Sequence, residues 1–111
     1  MTSTDKSNFL QVQTIGQKLR ELREKDKLLL RQVAAALEMD TALLSKIERD
    51  ERKPNKEQVL AFANYYKVQS DDLLVAWLSD RLASEVKDEV LGLKAVQMAE
   101  KKIKHHKSKN K

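Results

Sequence analysis

Apolar residues recur along this chain at spacings of three and four, the period of a helix that buries one face. Ile15, Leu19 and Leu22 form the first stripe, and Thr14-x-x-Gln17 has the layout of a capping box, so a first helix is predicted to run to about Lys25. After Asp26-Lys27, residues Val33, Ala34 and Leu37 share one face of a second helix, whose small alanines let a neighbouring helix approach closely. Glu38-Met39-Asp40 interrupts the pattern. Met39 plugs the corner, and Asp40 caps a third helix that starts at Thr41. Leu44 and Ile47 point inward in that helix, which leaves Ala42, Ser45, Lys46 and Arg49 outward and Thr41 exposed in the first turn.

Pro54-Asn55 opens a fourth helix, with Asn55-x-x-Gln58 as a second capping box and Val59, Leu60 and Ala63, with Phe62 or Tyr66, facing the core. Ser70 is placed as the cap of a fifth helix, where Leu73, Leu74, Trp77 and Leu78 close the hydrophobic centre. Trp77 reads as a core or interface residue rather than a ligand platform. From Ser79 to Lys104 the chain has no Pro and is rich in Ala, Leu, Lys and Glu, which predicts a helical extension of roughly 25 residues. Leu82, Val86, Val90, Leu93, Val96 and Ile103 fall within one broad stripe. A strict heptad through them puts Glu89 and Glu100 at seam positions, which argues against a long regular zipper. Gly92, which costs about 1 kcal/mol relative to Ala in a helix interior, is where the extension can bend or break. The stripe needs a burial partner, and a homodimer through Leu82, Val86, Val90, Leu93 and Val96 is expected. Four segments result: a flexible arm over 1–13 that includes Phe9 and Val12, a domain over 14–78, the extension over 79–104, and a basic disordered tail over 105–111.

A chain of 111 residues with 41% apolar content, one Pro and two Gly suits one almost wholly helical domain. No apolar run is long enough to span a bilayer, and the first residues lack the layout of a signal peptide. The absence of Cys excludes disulfides, a thiol nucleophile and the usual structural zinc sites, and it agrees with a reducing, cytoplasmic setting. The net charge of +5 is unevenly placed: residues 101–111 hold six Lys and no acid, so the first hundred carry 16 bases against 17 acids. What points to an anionic partner is therefore the local cluster Lys46, Arg49, Arg52, Lys53 and Lys56, set against the ordinary alternative of a solvated, salt-bridged surface. Enzymatic readings are poor. His105 and His106 are adjacent rather than at metal-pair spacing, Gly16 and Gly92 are isolated, no Ser has a neighbouring base, and Asp71-Asp72 look like a helix start. No catalytic residue, metal site or cofactor is expected.

The ordered pattern Leu19-Arg20-x-Leu22-Arg23, Val33-Ala34, Leu37-x-Met39, Leu44-Ser45-x-Ile47-Glu48-Arg49, Arg52-x-Pro54 and Asp72-Leu73-Leu74 resembles the Cro/cI-type (xenobiotic response element) helix-turn-helix family over roughly Ile15 to Leu78. The resemblance implies an all-α, five-helix, lambda-repressor-like DNA-binding domain, here with a C-terminal helical extension. It also implies double-stranded DNA as partner, an ion pair between Arg23 and Glu48, and phosphate contacts from Arg49, Arg52, Lys53 and Asn55. On the third helix, Lys46 suits guanine O6 or N7, Thr41 and Ser45 suit either base type, and Ala42 or Leu43 suits a thymine methyl. Three departures stand out. Leu29 and Leu30 replace a capping Ser or Thr and a phosphate-contacting Gln, which passes that contact to Arg31 or Gln32. Glu38 stands where Gly is common and a positive φ is needed, and Asp50 replaces the Gly after the recognition helix. The family holds phage repressors, restriction-modification controllers and antitoxins. Size and the lack of a ligand-sensing domain favour a dimeric transcriptional regulator of the controller kind on a palindromic operator. The alternative is an antitoxin or other interaction module whose C-terminal helix binds a partner protein.

Overall fold

The computed structural model describes residues 12–109, which form six helices and no strand, in keeping with the all-α expectation. Residues 1–11, with Phe9 and most of the expected arm, lie outside the described residues, as do Asn110 and Lys111. Helix α1 covers Ile15–Lys25, α2 Leu30–Ala36, α3 Thr41–Glu48, α4 Lys56–Tyr66, α5 Ser70–Val86 and α6 Gly92–Lys109. Both expected capping boxes form: Thr14 Oγ1 accepts from Gln17 N at 3.1 Å, and Asn55 Oδ1 accepts from Gln58 N at 2.8 Å. The Gln partners return the bond to the cap N–H groups at 3.0 and 2.9 Å. At α2 only half a box exists, because Leu29 has no acceptor; Gln32 Oε1 still takes the Leu29 N–H at 2.8 Å.

The described residues fall into two compact units that divide between Leu78 and Ser79. In the first, α3 packs against α1 and α2, and α1 also meets α4. Leu19, Val33, Leu44, Ile47, Val59 and Phe62 are fully buried, each contributing on the order of 1.5–3 kcal/mol of transfer free energy. Phe62 and Tyr66 both belong to this core, the two rings stacked at 6.5 Å, whereas Leu60 and Leu78, expected inside, are 40% and 48% exposed. Leu60 lies one residue off the Val59–Phe62–Ala63–Tyr66 face, and Leu78 one residue past Trp77, so the helical period turns both outward.

Four helices of this unit end in the same way, and none uses a glycine. Lys27, Glu38, Asp50 and Lys67 take left-handed φ values of 56°, 53°, 62° and 58°. Each donates its N–H to the carbonyl three residues back, and the following residue donates to the carbonyl five back, as in Glu38 N to Ala35 O at 3.2 Å and Met39 N to Ala34 O at 2.8 Å. These paired bonds satisfy two carbonyls that a helix end otherwise leaves open. The tight corner between α2 and α3 is built on one of them, at a strained Glu.

Helix α5 does not stop at Leu78 but continues to Val86, and it includes Ser70 rather than being capped by it. The chain then turns through Lys87–Leu91. Gly92 opens α6 where a Cβ would stand 2.5 Å from the Val86 carbonyl oxygen, so the break expected near Gly92 falls just before it. Helix α6 runs on to Lys109, past the expected end at Lys104 and through most of the stretch read as a disordered tail. No Pro or Gly interrupts it, and His106, Lys107 and Lys109 sit in its last turn, where positive charge favours the helix dipole.

Among the described residues Glu38 has no side-chain hydrogen bond that offsets its left-handed backbone, whereas Asp50 accepts from the Thr14 hydroxyl at 2.7 Å. Thermal denaturation should therefore show Glu38→Gly raising Tm by a few degrees, about 0.5–1 kcal/mol, while Asp50→Gly gives no gain. A lower Tm for Glu38→Gly would contradict this account of the corner.

Candidate nucleic-acid interface

Helix α3 is held at both ends. At its start Asp40 Oδ1 accepts from Ala42 N at 2.9 Å, which fixes where the helix begins. Leu44, Ile47 and Glu48 are buried along one side. On the other, Thr41, Ala42 and Lys46 are exposed, with Ser45 half-buried between them. Leu43, between the two sides, is half-buried and packs partly against the core.

The far end of α3 is fastened to α1 by three contacts. Arg23 Nε donates to Glu48 Oε2 at 2.9 Å and Oε1 at 3.2 Å, and Nη2 donates to Oε1 at 3.0 Å. The side chains are 14% and 4% exposed, so this is a buried, forked pair rather than a surface bridge. Its remaining arm, Nη1, donates to Leu28 O at 2.9 Å and ties the loop before α2 to the same point. The bond to Glu48 raises the Arg23 pKa above its already high ordinary value, which keeps the guanidinium charged throughout. Beside the pair, burial and the Glu48 carboxylate push the Tyr66 hydroxyl up as well. The second contact is Thr14 to Asp50. The third is steric: a Cβ on Gly16 would come within 2.5 Å of the Ile47 carbonyl oxygen and 2.9 Å of that of Glu48.

The loop after α3 carries Arg52 and Lys53, both exposed, and ends at buried Pro54. Its anchor is Trp77, whose indole Nε1 donates to Pro54 O at 2.7 Å. Arg49 turns back along the surface, with Nε on Ser45 O at 3.3 Å and Nη1 on Glu51 at 3.1 Å. That exposed bridge is worth under about 1 kcal/mol and is readily exchanged for another anion. Gln32 and Asn55 spend their side-chain oxygens on capping, yet each keeps an amide NH2 able to donate. Arg31, next to Gln32 in α2, is exposed.

A short helix locked from behind, exposed in front and followed by an anchored basic loop is the arrangement of a DNA-reading helix-turn-helix. A family described as helix-turn-helix domain matches residues 14–77, more than half of the chain. The chain belongs to that family. The match agrees with the resemblance to the Cro/cI type and points to a DNA-binding regulator, in a family that is typically not enzymatic. A search of curated proteins finds no match. No helix among the described residues is long and apolar enough to cross a membrane.

Within this helix-turn-helix, several positioning residues were not readable from spacing. Trp77 is 23 residues from Pro54, and Thr14 is 36 from Asp50, so no local period links them. Gly16 looked merely isolated. Its only signal was a glycine inside an otherwise strong helical stripe, a sign of close backbone approach.

Removing either member of the buried pair leaves the other without its counter-charge. Glu48→Ala should lower stability by about 3 kcal/mol, a Tm drop of at least about 10 °C, and weaken DNA binding with it. A double-mutant cycle with Arg23→Ala should return a coupling above about 1 kcal/mol; additive effects would show that the pair holds nothing.

Proposed function

We propose that this chain is a sequence-specific transcriptional regulator that binds a palindromic operator as a homodimer. One observation carries the reading: the exposed α3 face of Thr41, Ala42, Ser45 and Lys46 is presented by a helix whose opposite side is fastened through Arg23 and Glu48. Lys46 reads a purine edge, Thr41 and Ser45 bond neighbouring bases, and Ala42, with the outer edge of Leu43, packs on a thymine methyl. Arg31, Gln32, Arg49, Arg52, Lys53 and Asn55 hold phosphates on either side and fix the docking. The dimer is supported by Leu82, Val90, Leu93 and Val96, all exposed on the 79–109 unit beside half-buried Val86. In a symmetric dimer two α3 helices would enter successive major grooves about 34 Å apart.

Among the family's roles, control of restriction-modification genes is our preferred assignment. The same exposed apolar surface supports an antitoxin-like reading, in which another protein covers it. Gene neighbourhood separates the two.

Selection of bound sequences from random DNA should return an inverted repeat. Arg52→Ala should weaken binding to all sequences alike and reduce the magnitude of the salt slope by about 1, whereas Lys46→Ala should change preference at one position per half-site. A Lys46→Ala profile identical to that of the parent would remove Lys46 from base readout, and no enriched sequence at all would remove the operator.

A further inference from the structure

The positive charge of this chain is concentrated at one end. Residues 14–78, which hold the helix-turn-helix, carry 12 bases against 11 acids and are nearly neutral. Helix α6 carries six lysines against one glutamate, and five of those lysines fall within Lys101–Lys109, all of them exposed. Among the described residues, Lys104 alone of the five has an acidic partner, Glu100 at 3.5 Å in an exposed i, i+4 pair. Lys101, Lys102, Lys107 and Lys109 have none.

Such a run costs the helix stability. Lys101, Lys104 and Lys107 recur at i, i+3, where like charges repel, and the helix dipole compensates only for charges in the last turn. What the run supplies is charge density. On a helix rising about 1.5 Å per residue, five lysines span about 12 Å, about one charge per 2.4 Å, which approaches the one phosphate per about 1.7 Å of duplex DNA. A lipid surface also attracts cationic helices, but it needs an apolar face with large anchoring side chains. Ile103 is the one apolar residue in 101–109, and no Phe, Tyr or Trp follows Trp77.

We propose that the lysine-bearing end of α6 is a second DNA contact, which grips the phosphate backbone without regard to sequence. This rests on the DNA-binding reading above and extends it: α3 discriminates between bases, while α6 supplies affinity for any duplex by releasing the counterions that phosphates hold. The nearly neutral helix-turn-helix supplies little of that attraction through its net charge. Lys101, Lys102, Lys107 and Lys109 meet phosphate without first giving up an acidic partner, and Lys104 exchanges its exposed bridge at small cost.

The test is titration of the full chain with a random-sequence duplex over a range of salt, alongside selection of bound sequences, with circular dichroism to show that every variant keeps its helices. One variant carries Lys101→Gln, Lys102→Gln, Lys107→Gln and Lys109→Gln, since Gln matches Lys in helix propensity and lacks its charge. On random duplex the magnitude of its salt slope should fall by about 3, near one per lysine, and its affinity at about 100 mM salt by at least about tenfold, while its selected sequence stays that of the parent. A second variant with Lys101→Arg, Lys102→Arg, Lys107→Arg and Lys109→Arg should keep the parent slope, because charge and not shape is at work. An unchanged slope in the Gln variant would overturn the α6 contact and leave operator reading standing. A parent that binds random duplex through these lysines yet enriches no sequence would overturn operator reading and leave the α6 contact standing. Binding of the parent to phosphatidylserine vesicles, with none to random duplex, would overturn the α6 contact in favour of a lipid surface.

Discussion

The forked contact of Arg23 with Glu48 and Leu28 O sets where α3 lies and which way it faces. Apolar burial of Leu44 and Ile47 is larger in free energy, but it is non-directional and leaves a short helix free to roll on its core. A planar guanidinium gripping both carboxylate oxygens does not tolerate that roll. Its net contribution over a well-packed apolar pair is small, because two charges lose their water. What it supplies is orientation, and Thr14–Asp50 and the missing Cβ of Gly16 hold the same end of α3 against α1.

The cost of this arrangement is collected at the helix ends. Lys27, Glu38 and Lys67 occupy left-handed positions that glycine would fill with less strain, at about 1 kcal/mol each. Asp50 is different, since its carboxylate reaches Thr14 and ties the strained turn to α1. Chain reversals this short are nonetheless needed: α2 and α3 have seven and eight residues, and the corner between them decides how the outer face of α3 stands clear of α2.

Much of the fold was legible because its signals are local. The stripes through Ile15–Leu19, Val33–Ala34 and Leu44–Ile47, and the boxes at Thr14 and Asn55, lie within a few residues of each other. Arg23 and Glu48 were legible only through the family resemblance, since 25 residues separate them. Leu60 and Leu78 were misplaced because hydrophobicity marks what can be buried, while helix phase decides what is. The ends of α5 and α6 were missed for a related reason. Ser79–Val86 and His105–Lys109 contain nothing that stops a helix, and the boundary at Leu78 is a change of surroundings, not of backbone.

The central claim is that a pre-set α3 presents its outer face, flanked by the loop anchored at Trp77, to the DNA major groove. Amide chemical-shift mapping during titration with the DNA recovered by selection tests it most directly. The account predicts the largest changes at Thr41, Ala42, Ser45 and Lys46, with a second group at Arg52 and Lys53. Changes confined to α6, with α3 and that loop unmoved, would contradict it.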